Sequence, residues 1–166
     1  MARAPSNADA PPPPVRTIRE GAGPRLYTIG YEKRSGAGLI AALRAARVDT
    51  LADVRAKPKS RRPEFNAGPL RALCEAASIA YEPFPTLGAT ERQMEIHAEG
   101  DIPAFRRLYR ARIRRSCNAE VARLADMAKH RTIALLCYER EHEICHRGVL
   151  AEVVGARIDA RVEAID

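Results

Sequence analysis

The sequence contains no apolar run that approaches the roughly eighteen residues a membrane-spanning helix needs. Its first 24 residues also lack the apolar segment of a signal peptide and instead include the proline run APPPP. We therefore expect a disordered, proline- and alanine-rich leader over residues 1–24 and a single folded domain over residues 25–166. We expect the protein to be cytoplasmic and to have no membrane partner.

Several motifs that identify common cofactor and enzyme classes are absent. The sequence has no G-x-G-x-x-G after its first predicted strand and no Walker motif, so neither usual nucleotide-binding loop is expected. Its four cysteines form none of the C-x-x-C pairs that are typical of structural zinc sites. Glu143 stands where the C-x5-R loop of phosphatases would place arginine after Cys137. These absences leave the cofactor unknown, and we assign no metal ligands.

Lysine is scarce, with 4 residues against 24 arginines, and the net charge is +7. This excess of positive charge favours anionic partners such as phosphorylated metabolites, nucleotides or nucleic acid. Five cations within residues 55–62 are typical either of a phosphate-binding loop or of a solvated loop. Six arginines within residues 106–115 fit the solvent face of a helix and could also contact nucleic acid.

Apolar periodicity predicts strands that alternate with helices. The strands are predicted at residues 26–29, 50–54 and 79–84, from residue 132, and at residues 161–165. Asn66 and Asp101 are predicted to cap the helices that follow them, whereas residues 88–100 are predicted to form a loop or a mobile lid. The alternation predicts a three-layer α/β domain with a mostly parallel, doubly wound sheet of about five strands. We expect the strand order 3-2-1-4-5.

Chemically active side chains follow three of these strands. In the expected order the first and fourth strands are neighbours, so the loops after Ile29, Val54 and Leu136 should share one crevice at the carboxyl ends of the strands. The candidate catalytic residues are Glu139, Cys137, His146 and Asp53. The candidate ligand-binding residues are Gly30, Tyr31, Glu32, Arg55, Ser60, Arg61, Cys145 and Arg147.

The segment TIALLCYEREHEICHR, residues 132–147, carries most of these residues. Cys145 at a helix N-terminus would have a lowered thiol pKa and could act as a nucleophile. Alternatively, Cys137 and Cys145 could bind a metal ion together with an imidazole from His142 or His146. Cys137 is equally typical of a buried core residue.

Arginine and carboxylate side chains at the same crevice also have two interpretations. The Arg147 fork at a helix N-terminus could bind phosphate or carboxylate, or it could brace the loops by pairing with Glu139 or Asp53. The two carboxylates could act as acid and base groups in a semi-buried crevice. Asp53 could instead cap its own loop.

The motifs TIGYE, DVR-x-x-P-x-SR and LLCYE…CHR, with Phe65-Asn66 and Leu87-Gly88 between them, resemble the bacterial family catalogued as domain of unknown function 488. They occur in the family's order and cover roughly residues 26–165. The chain departs from the family at LGAT, where LGG or LGTP is common, and at residues 141–143, where an aspartate-proline pair is frequent. The resemblance implies an α/β domain with its marked residues in these loops, and it implies no reaction.

Three functions fit these observations. The first is an enzyme or enzyme-like binder of an anionic, phosphate-bearing small molecule or nucleotide. The second is a non-catalytic nucleic-acid-binding module that uses the two arginine-rich segments. The third is a thiol or metal sensor. The oligomeric state is left open.

Overall fold

The computed structural model describes residues 23–166, so the predicted leader lies almost entirely outside the described residues. The strands are β1 (Arg25–Gly30), β2 (Thr50–Asp53), β3 (Ala80–Pro83), β4 (Ile133–Cys137) and β5 (Arg161–Ile165). The helices are α1 (Gly36–Ala45), α2 (Ala67–Ala76), α3 (Glu91–Ala98), α4 (Ile102–Ser116), α5 (Asn118–His130) and α6 (His146–Ile158). Short 3-10 turns occur at Pro63–Phe65 and Pro85–Leu87. Within residues 23–166 no helix is long and apolar enough to cross a membrane.

The five strands form one parallel sheet in the order β3-β2-β4-β1-β5, which confirms the α/β fold and the adjacency of the first and fourth strands. The expected order 3-2-1-4-5 is wrong in one detail, because β4 lies between β2 and β1. All five residues of β4 are buried, whereas β1 begins with an exposed residue. A strand that is apolar on both faces is well suited to the centre of a parallel sheet.

Helices cover both faces of the sheet and give three layers. On one face, α1 and α2 pack Leu39 and Leu70 against a cluster that includes Leu136 of β4. On the other face, α4, α5 and α6 pack against a cluster that includes Leu135. Because successive strand residues point to opposite faces, neighbours along β4 enter different cores. The same alternation determines which side chains meet at the carboxyl ends of the strands.

The prediction that residues 88–100 form a loop or a lid is wrong, because they include α3. The Thr90 hydroxyl accepts a hydrogen bond from the Gln93 amide, and the Gln93 Oε1 atom accepts one from the Thr90 amide, which forms a capping box. The T-x-x-Q spacing was the available sequence signal, but the helix buries only Gln93 and Ile96, too few residues for a clear apolar stripe. The predicted cap of the next helix is confirmed, since the Asp101 carboxylate accepts from the Ala104 amide at 3.0 Å.

Candidate functional site

Two thiols and an imidazole meet where β4 ends and α6 begins. Cys137 is the last residue of β4, Cys145 is the N-cap of α6, and His146 is its first residue. The His146 Nδ1 atom lies 3.8 Å from the Cys137 sulfur and 3.7 Å from the Cys145 sulfur. All three atoms lie within 4.8 Å of one another, and we call these residues the thiol–imidazole cluster.

A backbone carbonyl fixes the orientation of the His146 ring. The Nε2 atom lies 2.8 Å from the carbonyl oxygen of Val54, which follows β2. Because a carbonyl can only accept, Nε2 carries the hydrogen and Nδ1 faces the two sulfur atoms. Tyr109 packs against the ring with a centroid separation of 5.3 Å. The other candidate imidazole, that of His142, lies 3.0 Å from the Thr28 hydroxyl and is not part of the cluster.

The carboxylate of Glu139 adjoins the cluster, with its Oε2 atom 3.3 Å from the Cys137 sulfur. The segment that carries it, residues 138–145, is held against the end of β1. The Tyr138 carbonyl accepts from the Glu32 amide at 2.9 Å, and the Glu32 carboxylate accepts from the Arg140 amide at 3.0 Å. Burial, and then the nearby Cys145 sulfur, raise the pKa of Glu139 above its usual range.

The two thiols of the cluster have different acidities. Burial alone would raise the pKa of Cys145, but a hydrogen bond from the Cys137 thiol and the positive charges of His146 and Arg147 hold it well below its usual range. That hydrogen bond to Cys145, together with burial, raises the pKa of Cys137. Burial would lower the pKa of His146, but the Cys145 thiolate raises it.

Cys74 shows what burial does to a thiol without such partners. It lies on the buried face of α2, and burial raises its pKa to about 12. All four cysteines are free and buried. The acidic thiol of the cluster therefore results from its neighbours and not from burial.

Arg147 is the second residue of α6, and its side chain is 1% exposed. Its Nη2 atom donates to the Arg140 carbonyl at 2.8 Å. Its Nε and Nη1 atoms are buried and have no hydrogen-bond partner among the described residues. The N-cap, Cys145, makes no side-chain hydrogen bond to the first turn of α6. A guanidinium with free donors thus adjoins an uncapped helix N-terminus.

Asp53 and Arg55 form a second cluster. The two Asp53 carboxylate oxygens accept from the Nε and Nη2 atoms of Arg55 at 2.8 and 2.6 Å, and from the Tyr81 hydroxyl at 2.6 Å. Arg55 also donates to the Phe65 carbonyl at 2.9 Å and to the Tyr31 hydroxyl at 3.3 Å. Burial would lower the pKa of Arg55, but Asp53 raises it above its usual value. Both carboxylate oxygens of Asp53 are therefore occupied.

The predicted single crevice is thus divided between the two faces of the sheet. Leu51 packs on the α1–α2 face, so Asp53, two residues later, points to that face as well. Leu135 packs on the α4–α6 face, and Cys137 accordingly points there. Of the predicted catalytic residues, Cys137, Glu139 and His146 come together, whereas Asp53 does not join them. Val54 connects the two clusters through its carbonyl bond to His146.

The other predicted ligand-binding residues mainly organise the loops. A Cβ atom on Gly30 would lie 1.9 Å from the Glu139 carbonyl oxygen, so glycine permits the close approach of that segment. Tyr31 stacks on Phe65 with a centroid separation of 4.4 Å. The Ser60 amide donates to the Asn66 side chain at 2.7 Å, and Arg61 is exposed.

Much of the positive charge in the two arginine-rich segments is engaged within the chain. Lys57 pairs with Glu91, Arg62 pairs with Glu64, and Arg106 and Arg110 share Glu152. Five exposed cations of these segments have no such pair within residues 23–166, namely Lys59, Arg61, Arg107, Arg114 and Arg115. Nucleic-acid binding by these segments stays a prediction, and its expected signature is a steep loss of affinity with salt.

Three contributors to the site were not predicted. Tyr81 binds Asp53, Tyr109 packs on His146, and the Val54 carbonyl orients His146. Tyr81 and Tyr109 each had a sequence signal, namely an amphipathic residue on an otherwise apolar strand or helix face. The contact of the Val54 carbonyl depends only on how β2 and α6 are placed, and no local pattern indicates it.

The sequence profile described as "Domain of unknown function DUF488" matches residues 37–154. The chain belongs to this family. The match includes both clusters and Arg147 of the DUF488 domain, whereas β1 and β5 lie outside the matched range. Neither the curated proteins nor the solved structures include a match to this chain. Because the family description names no reaction, the function has to be argued from the site.

The ion pair between Arg106 and Glu152 supports residues 138–145, the segment that covers the site of the DUF488 domain. Arg106 donates to the Glu143 carbonyl at 2.7 Å and to the Glu152 carboxylate at 2.5 Å. Burial would raise the pKa of Glu152, but Arg110 and Arg106 lower it below its usual value. A carboxyl whose folded-state pKa is lowered adds stability at neutral pH, and this contribution is lost as the pH falls through the folded-state pKa.

We therefore expect Glu152→Gln to lower the free energy of unfolding by less than about 1 kcal/mol at pH 7, because solvent screens this half-exposed pair. The difference from the parent should disappear at a second, acidic pH below the lowered folded-state pKa of Glu152, because the parent carboxyl is protonated there too. Urea unfolding of the parent and of the variant at both pH values measures this difference in the free energy of unfolding. Asp126→Asn, which breaks an exposed pair with Lys129, is the control and should change little. An equal difference at both pH values would contradict the electrostatic explanation.

Proposed function

We propose that this DUF488 domain is a small enzyme, or an enzyme-like binder, that holds the anionic group of a small molecule at Arg147. The expected ligands carry a phosphate, as in nucleotides and sugar phosphates. The observation that carries this proposal is the pair of buried Arg147 nitrogens, Nε and Nη1, that have no hydrogen-bond partner among the described residues.

Buried donors without partners are costly. An unsatisfied buried polar atom costs about 1–3 kcal/mol, and more when the group is charged. Arg147 finds one carbonyl, that of Arg140, and the alternative partner Asp53 is occupied by Arg55. The free Nε–H and Nη1–H groups point to different sides of the guanidinium, so each can donate its own charge-assisted hydrogen bond to an anionic oxygen. The N-terminus of α6 adds the positive end of a helix dipole at the same place.

The anion site at Arg147 lies beneath residues 138–145. To reach it, a ligand has to move this segment aside or pass between its residues. The segment is attached by the contact of His142 with Thr28 and by the hydrogen bonds of Glu32. Exclusion of water by such a cover strengthens electrostatic contacts to a bound anion. Glu139 and the thiol–imidazole cluster then lie at the same end of α6 as the anion, where they can act on it.

Thermal unfolding of the parent protein in the presence of inorganic phosphate, AMP and ribose 5-phosphate tests this proposal. A ligand at 100 times its dissociation constant stabilises the folded state by about 2.7 kcal/mol. We expect at least one of these anions to stabilise the parent. We expect Arg147→Lys and Arg147→Met to lose this stabilisation, because neither retains N–H donors at the places of Nε and Nη1. The matched control Arg114→Gln, on the exposed face of α4, should keep it.

Hydrogen exchange on the parent protein provides a second measurement that does not depend on whether the Arg147 variants fold. The stabilising anion should protect amides in residues 138–148. The proposal is wrong if none of the three anions stabilises the parent. It is also wrong if protection falls elsewhere, or if a folded Arg147 variant responds as the parent does.

A further inference from the structure

The thiol–imidazole cluster has the dimensions of a tetrahedral metal site. Bonds of about 2.3 Å to sulfur and about 2.0–2.1 Å to nitrogen imply sulfur–nitrogen separations of about 3.6 Å in a tetrahedron around zinc. The observed separations from His146 Nδ1 are 3.8 Å to the Cys137 sulfur and 3.7 Å to the Cys145 sulfur. We propose that these three residues bind one zinc ion and leave its fourth position open to a water molecule or another small ligand.

Glu139 adjoins the cluster without belonging to it, because its carboxylate is not among the ligand atoms that all lie within 4.8 Å of one another. Its Oε2 atom lies 3.3 Å from the Cys137 sulfur, which places it as an outer-shell neighbour of that ligand. Two thiolates and one imidazole are an established set of three zinc ligands that keeps a fourth position open. The remaining cysteines, Cys74 and Cys117, do not join the cluster.

The surroundings of the cluster support this assignment independently. A histidine that binds a metal ion commonly donates its other ring N–H to a carbonyl or a carboxylate, which fixes the coordinating nitrogen. The Val54 carbonyl accepts this hydrogen bond from His146 at 2.8 Å. Zinc with two thiolates and one neutral imidazole carries no net charge, so the buried site needs no further counter-ion.

The ligand spacing in the sequence, with seven residues between Cys137 and Cys145, does not match a common zinc motif. Structural zinc knuckles take paired ligands from one tight turn, whereas here Cys137 ends a strand and Cys145 and His146 begin a helix. Residues 138–144 close the loop between them. This proposal stands on the ligand geometry alone and does not require the anion to bind at Arg147. A bound zinc ion would supply a Lewis acid to the same end of the sheet.

Metal analysis of the full-length protein tests the proposal. The protein is purified without chelator in a phosphine reductant, stripped, and then titrated with Zn²⁺ and with Co²⁺. We expect one ion per chain, and for Co²⁺ the intense near-ultraviolet absorption of a thiolate-to-metal charge transfer. The absorption reports sulfur ligation directly and requires no enzymatic activity.

Cysteine variants locate the ion. Cys145→Ser and Cys137→Ser should weaken Zn²⁺ binding by at least about 100-fold, the upper range for loss of an outer-shell partner. Serine is a favoured N-cap residue, so Cys145→Ser is expected to fold. Cys74→Ser and Cys117→Ser are the matched controls, because both remove a buried free thiol outside the cluster, and they should bind Zn²⁺ as the parent does.

The proposal is overturned if the reduced parent binds neither ion with one-to-one stoichiometry, or if Cys145→Ser binds Zn²⁺ as tightly as Cys74→Ser does. Arg147→Lys separates this proposal from anion binding. Since Arg147 is not a ligand, this variant should keep its zinc ion while it loses the response to phosphate. In Arg147→Lys, loss of the phosphate response with zinc retained concerns the anion proposal alone. In Cys145→Ser, loss of zinc with the phosphate response retained concerns the zinc proposal alone.

Discussion

Asp53→Asn is expected to lower the free energy of unfolding by about 3–5 kcal/mol, the usual cost of removing one partner from a buried ion pair. Asp53 is 1% exposed and Arg55 is 6% exposed, so water cannot replace the lost carboxylate. In the variant, one carboxylate oxygen becomes an NH₂ group that faces the donors of Arg55 and Tyr81. The arginine charge remains buried without a counter-ion.

Unfolding in urea, followed by circular dichroism, measures this loss. Glu91→Gln is the matched control, because it removes a carboxylate from the exposed pair with Lys57. Solvent screens that pair, so little or no change is expected. If Asp53→Asn were as stable as Glu91→Gln, the buried pair would not support the fold. If it kept its stability and lost only ligand binding, Asp53 would belong to the functional site after all.

The same aspartate shows how far local sequence patterns reach. The pattern places Asp53 correctly at the carboxyl end of β2 and Cys137 at the end of β4, because apolar runs and helix caps are local signals. It does not say which face of the sheet each side chain takes. The face of each side chain follows from the face on which the residue two positions earlier packs. Leu51 and Leu135 pack on opposite faces of the sheet, so Asp53 and Cys137 also point to opposite faces. The two predicted acid/base carboxylates are therefore separated.

The position of β4 has a similar explanation. Both β1 and β4 are apolar runs with almost complete burial, so their composition fits either central place. The choice depends on pairing across the sheet, where Ala134 lies opposite both Tyr27 and Leu51. In contrast, the thiols and the imidazole of residues 137–146 come together as predicted, because a single short connection holds them between one strand and the next helix.

The second large effect concerns Gly30, the last residue of β1. We expect Gly30→Ala to destabilise the protein by about 3 kcal/mol, the upper range for overpacking a filled interior. The added methyl group would lie 1.9 Å from the Glu139 carbonyl oxygen and 2.6 Å from its carbonyl carbon. These are backbone atoms, so no side-chain rotation can relieve the contact, and residues 138–145 have to move.

That movement should also reach the site, because Glu139 would leave its place 3.3 Å from the Cys137 sulfur. We therefore expect faster cleavage by protease within residues 138–145, and weaker Zn²⁺ binding because this segment joins Cys137 to Cys145. Gly68→Ala is the matched control, since a methyl group at that position on α2 meets no atom within 4 Å. It should be neutral or slightly stabilising, because alanine is the better helix former. Equal stability and equal protease resistance of the two variants would show that the segment does not rest on Gly30, and the positioning of Glu139 would then need another cause.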